Sequence, residues 1–228
     1  MPDTEPPHAV VSGASSGIGA AIVARLLAQG WQVTGLGRRD PGLDSPRYAH
    51  RQVDLLDATA TRAAVAGLRP SALVHAAGLM RAAPLGALSA EDGRQLWRLH
   101  VEAASLLADL LVPGMAAGGR VVLIGSRTSG GAAGRSHYAA SKAALVGLAR
   151  SWAMELAPRG ITVNVVAPAA TDTPMLRDPA RAGSVPKLPP IGRLVRPEEV
   201  AALTAFLLGP EAGAITGQQI MVCGGASL

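Results

Sequence analysis

Tyr138 and Lys142 stand four residues apart in "SHYAASKAALVGLARSWAMEL", a run whose apolar spacing predicts a helix. Four apart on a helix is one turn, so a phenol and an ammonium share a face. A phenol alone titrates at about 10, and a neighbouring cation favours phenolate and draws that value down. Such a group can give a proton to a carbonyl oxygen, or take one from an alcohol, near neutral pH. Ser126 follows the apolar strand "RVVLIG", where its hydroxyl can hydrogen-bond the same oxygen and stabilise charge there. Ser129 is the reserve candidate for that role. Taken alone, Tyr138 would fit a packing aromatic as well as a catalyst, so the elements around it must decide.

"HAVVSGASSGIGAAIVARLLAQG" reads as strand, glycine turn and helix. Gly13 suits the tight turn, Gly17 lets backbone approach a pyrophosphate, and Gly19 permits close helix–strand packing. The helix that opens across Ser15, Ser16 and Ile18 offers its leading N–H groups to phosphates. "WQVTGLG" is a second strand. The next stretch is broken by Pro41 and Pro46, which predicts a short or absent second helix before a strand near "YAHRQVDL". A helix is expected from about Thr59 to Gly67, with Asp57 as its cap, and then a strand, "SALVHAAG". One long helical pattern starts at Ser89, with Glu91 and Asp92 in its first turn, and runs through "RLHVEAASLLADLLV". "GRVVLIGS", the helix of Tyr138, "ITVNVVAP", a proline-broken loop over about 171–197, the helix "PEEVAALTAFLLGP" and the strand "GQQIMVCGG" complete the order. Apolar strands alternating with helices imply an α/β fold of about seven strands, a doubly wound parallel sheet with helices on both faces. No linker or repeat divides residues 1–228, so one domain is expected. The candidate residues fall at or beyond the C-terminal ends of strands, the edge where open α/β sheets bind ligands.

The glycine spacing at Gly13, Gly17 and Gly19, together with Tyr138 and Lys142, resembles the short-chain dehydrogenase/reductase family over nearly the whole chain. "HAAG" (His75–Gly78) resembles the family's Asn-Asn-Ala-Gly, and "NVVAPAATDTPM" is similar to its Asn-x-x-x-Pro-Gly-x-x-x-Thr segment. The resemblance implies a Rossmann-type domain and hydride transfer between a nicotinamide and a carbonyl or secondary alcohol. It also implies catalysis by Ser126, Tyr138 and Lys142, with Lys142 and Tyr138 touching the nicotinamide ribose. Asp54 and Leu55 would lie beside the adenine, and Ala76, Ala77, Gly78, Pro168, Thr171 and Thr173 would line the cofactor. Family members usually form tetramers, so a homotetramer or homodimer is expected, and "AASLLADLLV" and "AALVGLARSWAMEL" are apolar enough to contribute faces.

The chain departs from the family at several places. Ser126 and Tyr138 are about one residue closer together than is usual there. His100 stands where the family carries an asparagine that holds a relay water, and it is either a replacement or a helix residue with no relay role. Ala169 replaces the glycine after the proline. Cys223 replaces an aspartate and, as a small apolar side chain, is assigned no catalysis.

Gly37 sits at the end of the second strand, where an NAD enzyme commonly has an acid, and Arg38 and Arg39 follow. A guanidinium fork suits a 2′-phosphate, which favours NADP(H). NAD(H) stays open through Asp40. No metal site is expected. Hydrophobic residues make up 49% of the 228 and charged residues 16%, which suits a packed core and argues against disorder. The single cysteine fits a reducing cytoplasm, and neither a secretory signal nor a membrane span is evident. The formal net charge of +5 comes mostly from dispersed arginines, since lysine occurs at Lys142 and Lys187 alone. Nucleic-acid binding is therefore a rival without a basic run to support it. The remaining alternatives are an NAD-dependent dihydrodiol or alcohol dehydrogenase of the same family and a non-catalytic cofactor-binding regulator. Relatives that reduce ketoacyl thioesters are also plausible. The loop over 171–197 would choose the small-molecule substrate, whose identity stays open.

Overall fold

β1 (His8–Ser12), β4 (Ala72–His75), β5 (Arg120–Ile124) and β6 (Thr162–Pro168) are short apolar runs with almost every residue buried. A strand covered on both faces has no solvated side on which polar residues could alternate. They belong to a computed structural model that describes residues 6–178 and 187–228. The middle of the expected substrate loop, 179–186, lies outside the described residues, as do residues 1–5 of the N-terminal stretch judged free of a signal.

Seven parallel strands form one sheet in the order β3-β2-β1-β4-β5-β6-β7. β2 is Gln32–Gly37, β3 is Tyr48–Gln52 and β7 is Gln219–Val222. The edge strand β3 has no fully buried residue, as expected of a strand paired on one side. The chain reverses its winding between β1 and β4, and a crevice opens at the C-terminal ends of strands around such a switch. α1 (Gly17–Ala28) and α6 (Pro197–Leu208) cover one face, where Ile22, Leu26, Val200 and Leu207 are buried in one cluster with residues of β1, β4, β5 and β6. α2 (Ala58–Val65), α4 (Ala103–Leu111) and α5 (Ser136–Leu156) cover the other, with Leu107, Leu111 and Leu145 against Leu73 and Leu123.

No helix forms between β2 and β3, as the two prolines there dictate. Asp57 caps α2 by accepting the Ala60 N–H at 2.9 Å, and Ser89 caps α3 (Ala90–Trp97) by accepting the Asp92 N–H at 3.1 Å. Pro197 takes the first turn of α6, where its missing N–H costs nothing.

The long helix expected from Ser89 onward departs from the α repeat. A π turn over Arg98–Glu102 separates α3 from α4, and the Ala103 N–H reaches back five residues to the Arg98 carbonyl. The extra residue turns His100 and Val101 inward, where both are buried. Among the described residues no helix is long and apolar enough to cross a membrane.

Candidate active site

The switch point opens into a cleft of about 330 Å³, and of the residues expected from the sequence to bind a cofactor all but Asp40 line it. At its centre β1 turns sharply at Gly13, with a φ of +70°. A side chain at Gly13 would drive a Cβ to 2.7 Å from the Ala77 backbone, so the β1 turn and the β4 end can meet only through glycine. A Cβ at Gly19 would strike the Gly13 carbonyl, which fixes how closely α1 approaches the strand. Ser16 stands at the α1 N-cap without a side-chain cap bond, and the first turn holds no acid. That end therefore keeps its positive dipole for an anion, and the residues fit a dinucleotide pyrophosphate.

Toward the cleft's other wall, Gly37, Arg38 and Arg39 leave β2. The edge strand holds this turn: His50 Nε2 donates to the Gly37 carbonyl at 3.2 Å, and Gln52 Nε2 donates to the Arg38 carbonyl at 3.0 Å. A Cβ at Gly37 would meet only His50 Cε1, at 3.9 Å, so there is room for an acid that the sequence does not supply. Asp40, the candidate for ribose contact, accepts the Gly42 N–H at 2.9 Å within its own turn and does not line the cleft. Asp54 does line it and accepts the Leu56 N–H at 3.0 Å.

Ser126, Tyr138 and Lys142 meet at the opposite end. Ser126 Oγ accepts the Thr128 N–H at 3.2 Å and lies 2.8 Å from Thr128 Oγ1, which fixes its rotamer. Ser129 is removed from the site, because its Oγ accepts from Gln219 Nε2 at 2.7 Å and does not line the cleft. Lys142 is 4% exposed, and its Nζ donates to the Ile124 carbonyl at 2.8 Å. Burial without a carboxylate pulls its pKa from 10.5 down to about 7.

Two buried histidines flank this cation. His75 Nε2 faces the Leu99 carbonyl at 3.1 Å and so must carry the proton. Its Nδ1 accepts from Ser12 Oγ at 2.9 Å, and Ser12 Oγ in turn takes the Ala77 N–H at 3.2 Å. Burial, with Lys142 repulsion second, pushes His75 down to about 3. His100 has the opposite tautomer. Its Nε2 accepts the Leu79 N–H at 3.1 Å, leaving Nδ1 to donate to Ser141 Oγ at 2.9 Å. Ser141 donates to the Tyr138 carbonyl at 2.9 Å, and the His100 ring stands edge-on to the Tyr138 ring at 5.6 Å between centroids. Burial and the charge of Lys142 hold His100 well below its ordinary range, so it too is neutral.

A family model described as enoyl-(acyl carrier protein) reductase matches residues 13–227. The 3-oxoacyl-(acyl-carrier-protein) reductase FabG of Salmonella typhimurium is 34% identical over 234 residues, covering 95% of this chain and 96% of that protein. The chain belongs to the short-chain dehydrogenase/reductase family, a family of oxidoreductases. The cyclic-di-GMP-binding biofilm dispersal mediator protein of Escherichia coli is 35% identical over 218 residues, covering 91% of this chain and 92% of that one. A solved structure of an actinorhodin polyketide ketoreductase variant with NADPH superposes with a TM-score of 0.89 at 28% identity, covering 100% of this chain and 99% of that chain.

Within this short-chain dehydrogenase/reductase, His100 does not offer a free nitrogen to a relay water. Both its ring nitrogens are taken by the protein, which fits the second of its two readings, a helix residue with no relay role. It positions the Tyr138 backbone and the loop after β4 instead. Cys223 does not line the cleft, whereas Ala169 does. Thr128 and Ser141 were missed by sequence reasoning. Thr128 could have been found as a hydroxyl two residues after Ser126, the spacing of a local side-chain turn. Among the described residues no cluster of His, Cys, Asp or Glu could hold a metal.

His100→Ala leaves the partly buried Leu79 N–H without its partner and opens space beside Tyr138. Denaturant titration should show a loss of about 2 kcal/mol, and His100→Asn should recover at least half of it.

Proposed function

We propose that the protein is an NADP(H)-preferring reductase that interconverts a carbonyl and a secondary alcohol. One observation carries the reading: a buried, carboxylate-free lysine lies one helical turn from Tyr138, in the same cleft as Ser126. The cofactor, when bound, supplies the hydride. Ser126 Oγ–H donates to the substrate oxygen and holds it at the cleft end. Tyr138 Oη gives that oxygen a proton, or takes it in the reverse direction. Lys142 favours the phenolate form and binds the nicotinamide ribose, as in the family. Its own anchor, the Ile124 carbonyl, uses one N–H and leaves the others for the cleft.

The uncapped start of α1 would take the pyrophosphate, and Arg38 with Arg39 the 2′-phosphate. Asp40, tied into its own turn, weakens the NAD(H) alternative. The NADPH-bound ketoreductase and the ketoacyl reductase relative support the same cofactor and carbonyl chemistry. A second reading, a nucleotide-binding regulator without turnover, draws support from the cyclic-di-GMP-binding relative. The intact Ser126, Tyr138 and Lys142 set favours catalysis. The proposal extends to a cytoplasmic protein that assembles as a homotetramer or homodimer. Met154 on α5, Phe206 on α6 and Met221 on β7 remain 73%, 46% and 39% exposed, which suits buried faces in an assembly.

Tyr138→Phe should lower kcat by at least ~100-fold while NADPH still binds within about twofold by fluorescence titration. Equal turnover in variant and wild type would leave the regulator reading standing. Arg38→Asp should weaken NADPH by about tenfold or more, roughly 1.4 kcal/mol, and leave NADH unchanged or improved. Unaltered NADPH binding would make Arg38 a surface charge.

A further inference from the structure

The two ends of the cleft differ in how their cations are spent. Asp54 is the one carboxylate among the described residues that line the cleft, and it lies at the adenosine end. The catalytic end is lined by Arg127, Arg135 and Lys187 besides Lys142. Lys142 belongs to the chemistry, and Lys187 is exposed at the rim.

Arg127 is the unusual member. It follows Ser126 directly, so their Cα atoms lie about 3.8 Å apart. It is partly buried, at the start of the short turn Arg127–Gly130. Elsewhere among the described residues the arginines are satisfied or left in water. Arg81, Arg94, Arg177, Arg193 and Arg196 pair with carboxylates. Arg51, Arg98, Arg120 and Arg159 donate to backbone carbonyls. Arg25, Arg47, Arg62, Arg69 and Arg150 are exposed. Among the described residues, the Arg127 guanidinium has neither a carboxylate nor a hydrogen-bond acceptor, yet it is withdrawn from full solvation inside the cleft. A planar five-donor cation left in that state is stabilised most by an anion that enters the cleft, and its fork matches carboxylate and phosphate geometry.

We propose that Arg127 binds an anionic group, a carboxylate or a phosphate, carried by the substrate a few bonds from the carbonyl that Ser126 holds. This rests on the carbonyl-reductase reading and narrows its substrate to keto acids or keto phosphates in preference to neutral ketones. The absence of any acid from the described lining of the catalytic end removes the repulsion such a substrate would otherwise meet. Exposed Lys187 adds to the attraction at the rim.

The test uses pairs in which one member carries the distal anion and the other is neutral: acetoacetate against ethyl acetoacetate, and dihydroxyacetone phosphate against dihydroxyacetone. With NADPH, the wild type should favour the charged member of at least one pair by at least ~10-fold in kcat/KM, and that pair tells carboxylate from phosphate. In Arg127→Gln the charged-to-neutral ratio should fall at least ~10-fold, and Arg127→Lys should fall between the two because it keeps charge but loses the fork. A ratio unchanged by Arg127→Gln for both pairs overturns the proposal. Calorimetric titration of acetoacetate and of inorganic phosphate into the protein saturated with NADP⁺ reads the same contact without turnover. Binding that is lost in Arg127→Gln supports the assignment, and binding equal in both proteins, or absent from the wild type, contradicts it. Failure of the reductase reading looks different: no ketone is reduced and Tyr138→Phe matches the wild type, whatever calorimetry shows at Arg127.

Discussion

Lys142 carries an ammonium group into the interior with no carboxylate to meet it, and its surroundings follow from that. The Ile124 carbonyl at the end of β5 takes one of its protons at 2.8 Å. The two histidines beside it must be neutral, since a second or third buried cation would add repulsion to desolvation. The fold meets that demand by binding each ring at both nitrogens in a defined tautomer. The penalty on the lysine has a sign. Its folded pKa of about 7 lies below 10.5, so in that window the unfolded chain binds the proton more tightly. Stability is reduced in full below about 7 and recovers as pH rises through the window. A site that keeps such a cost is one where an acidified amine beside a phenol is of use.

The same contacts join the two halves of the cleft. Ser12 ends β1 and His75 ends β4, the strands on either side of the winding reversal, and their hydrogen bond ties the cofactor turn to the π turn through the Leu99 carbonyl. His100 continues the connection from the loop after β4 to Ser141 and the Tyr138 backbone. The glycine turn and the helix of Tyr138 are thus joined through Ser12, His75, His100 and Ser141. At the far wall, His50 and Gln52 do the corresponding work for the Arg38 turn from an edge strand.

Much of this was legible in the sequence because it rests on local pattern. Buried strands show as apolar runs, Asp57 and Ser89 announce helix starts, and Pro41 and Pro46 forbid a second helix. Gly13, Gly17 and Gly19 mark a turn that only glycine fits. What was hidden depends on contacts between distant residues. The π turn adds one residue to a helix whose apolar spacing still looks regular, so His100 was placed on the right helix without its inward commitment. Ser126 was preferred by its place after β5 with Ser129 in reserve, and the bond from Gln219 on β7 takes Ser129 out of contention. Arg127 looked like one of many dispersed arginines until the partners of the others were known.

The most direct test of this account is the pKa of the Lys142 amine, followed by NMR with isotope-labelled lysine in the cofactor-free protein. Lysine occurs at two positions, and Lys142→Met assigns the signals. The account predicts that the amine signal lost in Lys142→Met titrates near 7. A Lys142 resonance titrating at the ordinary value of 10.5 would mean that the amine is solvated, and the electrostatic basis of the site would fall with it.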